Sequence, residues 1–179
     1  LETIHIASDY DLINCRFPVQ TVIRPFSDEY HDYRGYAGRI SGGIFKPGDK
    51  IMALPSGFTT SIKRIDTFEG PVEEAFPPMS VTLLLEDEID ISRGDMIVRE
   101  NNVPQVGQDL DVMLVWMNEK ILRVGGKYAL KHTTKDLRCL VKEVKYKVDI
   151  NTLHRNMEDK NVGLNEIARV SLRTTQPVF

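Results

Sequence analysis

The residues that could do chemistry in this 179-residue chain are few, and their spacing argues against most catalytic uses. Gly125-Gly126-Lys127 has the look of the end of a phosphate-binding loop. Such a loop also needs a glycine five positions before its last glycine and a Ser or Thr after the lysine. Ile121 and Tyr128 stand there instead, so backbone amides could not wrap a phosphate and no hydroxyl would hold magnesium. A hairpin turn is expected. His5, His31, His132 and His154 include no His-x-x-x-His pair, and Cys15 and Cys139 are too isolated to form a thiolate metal site. There is no Gly-x-Ser-x-Gly elbow, and neither cysteine has a histidine near it in sequence. Core or surface roles are expected for all six. The run 87–95 holds Asp87, Glu88, Asp90 and Asp95, carboxylates that could bind magnesium or act as acid and base. Runs of charge more often decorate solvated loops, and Arg93 is placed to pair locally. The expectation is therefore no catalytic, cofactor-binding or metal-ligating residue.

The basic stretch is a stronger signal. Lys120, Arg123, Lys127, Lys131, Lys135, Arg138, Lys142, Lys145 and Lys147 face only Glu119, Asp136 and Glu143 in sequence. Such charges could neutralise nucleic-acid phosphates. The interleaved aromatics are essentially Tyr128 and Tyr146, however, and single-strand binders depend on stacking. A solvated or partner-facing wall is the better reading, with an RNA-binding surface as the alternative.

The elements that must carry these residues read as strands. Segments 17–23, 35–40, 50–54, 60–68, 80–85 and 95–99 are short and rich in β-branched or apolar residues, with Gly or Pro turns between them. Ile62, Ile65 and Phe68 give the fourth a partial apolar pattern. Segments 109–117, 128–132, 138–148 and 168–172 form a second set. Leu110, Val112, Leu114 and Trp116 share one parity, as do Leu140, Val144, Tyr146 and Val148. Only 161–167 suggests something irregular or briefly helical. The fold class is all-β, with small barrels preferred because closure removes exposed edges.

Length suits two domains of modest size, and Val103-Pro104-Gln105 reads as a link. Residues 14–101 carry 10 basic and 14 acidic side chains, and 102–179 carry 13 basic and 9 acidic, so net charges of −4 and +4 flank the link. Two isolated cysteines suit a reducing cytoplasm, and no apolar run approaches the ~20 residues of a membrane span. The opening Leu1-Glu2-Thr3-Ile4 reads as the tail of something upstream.

Several motifs together resemble the large, GTPase subunit of bacterial sulfate adenylyltransferase. They are Arg16-Phe17-Pro18-Val19-Gln20, Asp32-Tyr33-Arg34-Gly35-Tyr36-Ala37-Gly38, Leu54-Pro55-Ser56-Gly57, Thr67-Phe68-Glu69-Gly70 and Glu74-Ala75-Phe76. The acidic run 87–95, Val115-Trp116-Met117, Tyr146-Lys147-Val148-Asp149-Ile150-Asn151 and Leu164-Asn165-Glu166-Ile167 continue the match in order. The glycine and Pro-Gly-Asp turns are also similar to the second domain of translational GTPases, an analogy of fold alone.

The resemblance implies two consecutive elongation-factor-like barrels, domain II over 14–101 and domain III over 102–179, with 1–13 as the linker from a GTPase domain. GTP and magnesium would belong to that domain, not to these residues. A small catalytic subunit would make adenosine 5′-phosphosulfate and pyrophosphate from ATP and sulfate, driven by GTP hydrolysis, in sulfate assimilation. Some members also carry an adenylylsulfate kinase. The loop 27–31 looks longer than the family pattern. The barrels would then be a non-catalytic coupling module, with Arg34 and Tyr36 as candidate interface residues because a turn after an acidic loop presents both. The competing expectation packs Tyr36 inside the barrel and pairs Arg34 with Asp32. No membrane partner is expected and nucleic acid is disfavoured.

Overall fold

The computed structural model describes residues 9–25 and 33–179. His5, His31, Asp32, the loop 27–31 and most of the linker 1–13 lie outside them. Twelve strands and no helix occur among the described residues. Their packing divides them into two compact units, one reaching Pro104 and taking in Thr133–Lys135, the other made of Gln105–His132 and Asp136–Phe179.

The first unit contains β1 (Arg16–Ile23), β2 (Gly35–Arg39), β3 (Lys50–Leu54), β4 (Thr59–Thr67), β5 (Gly70–Val72), β6 (Ser80–Leu85) and β7 (Met96–Arg99). They run in the order β3-β7-β1-β2-β6-β4, and a further β3–β4 pairing closes six strands into a barrel, with β5 hung on β4. Closure leaves no long unpaired edge. Phe17, Val19, Tyr36, Phe45, Ile51, Ile62, Ile65, Leu83 and Ile97 fill the interior, and Phe17 meets Phe45 edge to face at 6.3 Å. Gly43, at φ 71°, lies so close to Cys15 that a Cβ would sit 2.4 Å from its Cα, so only glycine lets these segments approach.

The second unit contains β8 (Gly107–Trp116), β9 (Lys127–His132), β10 (Lys135–Val148), β11 (Arg155–Asn156) and β12 (Glu166–Val178). Antiparallel pairing orders them β11-β10-β12-β8, with β9 also on β10. Val141, Val144, Val162, Ala168 and Val170 form a separate core, against which Leu110, Val112, Leu114 and Trp116 pack from β8 at the expected period of two.

Two expectations change, and one open between irregular and helical is decided. The pattern on β10 is not one parity: Leu137, Cys139 and Val141 are buried, then Val144, because the register shifts between Val141 and Glu143. A bulge adds one residue and turns the next side chain to the other face. Tyr146 consequently stands opposite Arg169, with the Arg155 guanidinium 4.9 Å above its ring. Phe68 does not join Ile62 and Ile65 inside; it sits beyond β4 in the turn to β5 and is fully exposed. Segment 161–167 is not helical, since the Leu122–Val162 bridge and β12 leave room only for a turn, with Asn165 at φ 63°.

Candidate functional interface

The two residues singled out in sequence sit at the start of β2. Tyr36 points inward, 1% exposed, and its hydroxyl donates to the Ile89 carbonyl at 2.7 Å. Burial pushes its ionisation up, eased by the Arg34 charge. Its ring carries the Arg34 guanidinium, whose carbon lies 5.5 Å from the ring centroid. The Arg34 side chain is only 15% exposed, yet among the described residues its ion-pair partner is the fully solvated Asp90 at 3.9 Å and its Nε–H meets no acceptor. A pair that long and wet contributes little. A guanidinium so placed can take a stronger acceptor. Beside it lies a hollow of about 220 Å³ lined by Arg34, Tyr36, Lys63 and the segment 84–88.

The acidic run is pinned by its own hydrogen bonds. Asp87 accepts from the Thr60 hydroxyl at 2.8 Å, and Asp95 accepts the Ser92 amide at 2.8 Å. Burial raises the Asp95 carboxyl, and that amide partly offsets it. Arg93 does not pair with these acids: it donates to the Gln20 carbonyl on β1 at 2.8 Å, because β1 lies within its reach. No three His, Cys, Asp or Glu side chains gather in a metal-holding group among the described residues.

Cys15 and Cys139 are buried, and desolvation raises both thiols, which suits inert core sulfurs. Gly125 takes φ 79° in a turn whose Gly126 amide donates to the Arg123 carbonyl at 2.9 Å, immediately before β9. Part of the basic stretch is already neutralised from elsewhere in the chain. Lys142 meets Asp109 at 3.3 Å, Lys145 meets Asp111 at 2.9 Å, and Lys147 bridges Asp159 and Glu166 at 2.6 Å each. Sequence reasoning missed these partners because they come from β8, β12 and the loop before β12. An unbroken phosphate-binding strip does not remain.

A closed six-stranded barrel followed by a second antiparallel unit defines the class: tandem β domains of the translational-GTPase type. A family described as GTP-eEF1A C-terminal domain-like matches residues 109–179. The chain superposes on Sup35 complexed with GMPPNP at a TM-score of 0.79 and 12% identity, covering 99% of this chain and 42% of that one. Translation elongation factor SelB from Methanococcus maripaludis gives 0.73 at 17% identity, covering 99% and 38%. At these identities the likeness is one of fold. Sequence narrows the likeness further. The bifunctional enzyme CysN/CysC of Mycobacterium tuberculosis is 47% identical over 180 residues, all of this chain and 29% of that protein. Sulfate adenylyltransferase subunit 1 of Bacteroides fragilis is 47% identical over 182 residues, again all of this chain and 37% of that protein. Along its whole length the chain is similar to the C-terminal part of sulfate adenylyltransferase subunit 1 proteins, and it spans about a third of the length of these relatives. They favour the adenylyltransferase reading over the RNA-binding one.

Proposed function

We propose that this chain is the non-catalytic coupling portion of the GTP-hydrolysing subunit of sulfate adenylyltransferase, a cytoplasmic enzyme of sulfate assimilation. A preceding GTPase domain would hold GTP and Mg²⁺. A small catalytic subunit would join ATP and sulfate into adenosine 5′-phosphosulfate and pyrophosphate. The observation that carries the reading is 47% identity along the whole chain to a protein named sulfate adenylyltransferase subunit 1.

A closed barrel and a weakly paired arginine at its surface support a coupling role. Coupling needs rigid bodies whose outer contacts differ between two states, since a ligand shifts an equilibrium only through differential interactions. A closed barrel supplies the rigidity, and the poorly partnered Arg34 supplies a contact that a partner carboxylate would strengthen. In this reading Arg34 is the contact and Tyr36 the residue that positions it. One charge-assisted hydrogen bond contributes about 1.5–3 kcal/mol, roughly tenfold or more in association.

The test reconstitutes the full-length polypeptide with the small subunit and follows pyrophosphate release from ATP and sulfate with and without GTP. GTP-stimulated release is expected, reduced about tenfold by Arg34→Gln. Absence of release under any nucleotide condition overturns the function. Release with unchanged GTP stimulation in Arg34→Gln removes Arg34 from the interface.

A further inference from the structure

At one end of the second unit, the loop after β8 exposes apolar side chains on a backbone that is held in place. Met117, Ile121 and Val124 are 78%, 49% and 55% exposed. The Trp116 indole N–H donates to the Lys120 carbonyl at 2.7 Å, the Arg123 amide donates to the Tyr128 hydroxyl at 3.0 Å, and the Leu122 amide donates to the Val162 carbonyl at 2.9 Å. Trp116 and Tyr128 meet edge to face at 5.3 Å. They form one wall of an open hollow of about 900 Å³. Exposed apolar side chains on a fixed backbone are ready to bind, because little ordering entropy remains to be lost. Lys120 and Arg123 rim the same hollow beside a single acid, Glu119, and none of the three forms an ion pair among the described residues, whereas Lys142, Lys145 and Lys147 all do.

We propose that this rim is an intramolecular docking surface, covered in the full-length subunit by an acidic, apolar-centred face of the polypeptide that lies outside this chain. The inference rests on the reading of the chain as a segment of a longer subunit. Two observations choose the occupant. Relatives identical at 47% along the whole chain have well over half their length outside it, so a covering body is available on the same polypeptide. Two cations against the one carboxylate of Glu119 leave the hollow net positive, which calls for negative charge opposite it, and the apolar side chains of the loop call for apolar surface beside that charge.

The experiment uses the full-length subunit carrying Ile121→Cys, with Val124→Cys as a second position should the first fail to fold. The rate of thiol labelling under native conditions is compared with that in denaturant; Cys15 and Cys139 are buried and provide the slow background. Covered cysteine is expected to label at least tenfold more slowly than in denaturant, independent of protein concentration and before any small subunit is added. Adding Lys120→Glu and Arg123→Glu to the same protein should bring the rate back to within a few-fold of the denatured one. Native labelling near the denatured rate overturns the proposal. Protection that grows with protein concentration assigns the rim to a second copy, and protection that needs the small subunit assigns it there; either overturns the intramolecular occupant. The mass of the native polypeptide separates the two failures. A mass near 20.4 kDa defeats the longer-subunit reading itself, while a larger mass with free labelling defeats only the docking surface.

Discussion

Replacing Tyr36 by Phe isolates one oxygen. The ring stays, so the core keeps its packing and the Arg34 guanidinium keeps the aromatic face beneath it. What is lost is the 2.7 Å hydrogen bond to the Ile89 carbonyl, the tether between the barrel interior and the acidic segment. Exchanging such a bond for water costs about 0.5–1.5 kcal/mol, and a carbonyl left dry costs about 1–3 kcal/mol. Ile89 is half-buried and packs on the core, so its carbonyl is only partly rehydrated and about 1–2 kcal/mol is expected. Urea unfolding of the first unit, with a slope of roughly 1–2 kcal/mol per M, should show its midpoint lowered by about 1 M at unchanged slope. Amide exchange over 86–91 should accelerate by about the same free energy, because the opening is local. Tyr36→Ala removes the ring as well and should cost about 3–5 kcal/mol. If Tyr36→Phe unfolds within about 0.3 kcal/mol of the parent and leaves exchange at 86–91 unchanged, the carbonyl is solvated, and the argument that Tyr36 positions this face through the acidic segment fails.

Two further outcomes follow from the second unit. Hydrogen bonds from Arg169 first, then Lys145, hold the Asp111 carboxyl down at about 2, below its ordinary 3.8. The folded form therefore gains stability that is present above pH ~4 and lost as pH falls through ~2; thermal unfolding between pH 5 and 2 should be less acid-sensitive in Asp111→Asn, and parallel curves would refute the linkage. At Gly126 an added Cβ would lie 2.7 Å from the Tyr128 ring and 2.8 Å from the Arg123 carbonyl. Gly126→Ala should cost about 1–3 kcal/mol and change Trp116 fluorescence, with Gly107→Ala, which meets nothing within 4 Å, as the neutral control.

Much of the fold was legible because turn chemistry punctuates it. Gly48 at φ 87° and Gly94 at φ 95° sit where the sequence placed turns, and the strands between them follow. The error on β10 has a physical cause that recurs on two other strands. Inward residues change parity at Val19 to Val22 on β1, Ile62 to Ile65 on β4 and Val141 to Val144 on β10, each beside a register shift. A bulge is set by the partner strand, so a single strand read alone at period two carries the pattern only as far as the first one. β5 and β11 were unread for a related reason: at three and two residues they are too short to have a period.

The interface was less legible, and the reason is that charge counted along a chain differs from charge counted across a sheet. The stretch from Lys120 to Lys147 looks uncompensated in sequence, yet Asp109 and Asp111 reach Lys142 and Lys145 because β8 and β10 both pair with β12. Lys120 and Arg123 lie in the loop between β8 and β9, where they outnumber the single carboxylate of Glu119 at the hollow beneath Trp116 and form no ion pair among the described residues. The same filter applies to the apolar residues. Leu110, Val112 and Leu114 look no different in sequence from Met117, Ile121 and Val124, but the first three meet a core within this chain and the second three do not. Surface that is apolar, pinned and edged by unspent charge has the composition of an interior without its covering, so the fold separates residues that complete this unit from residues that await another.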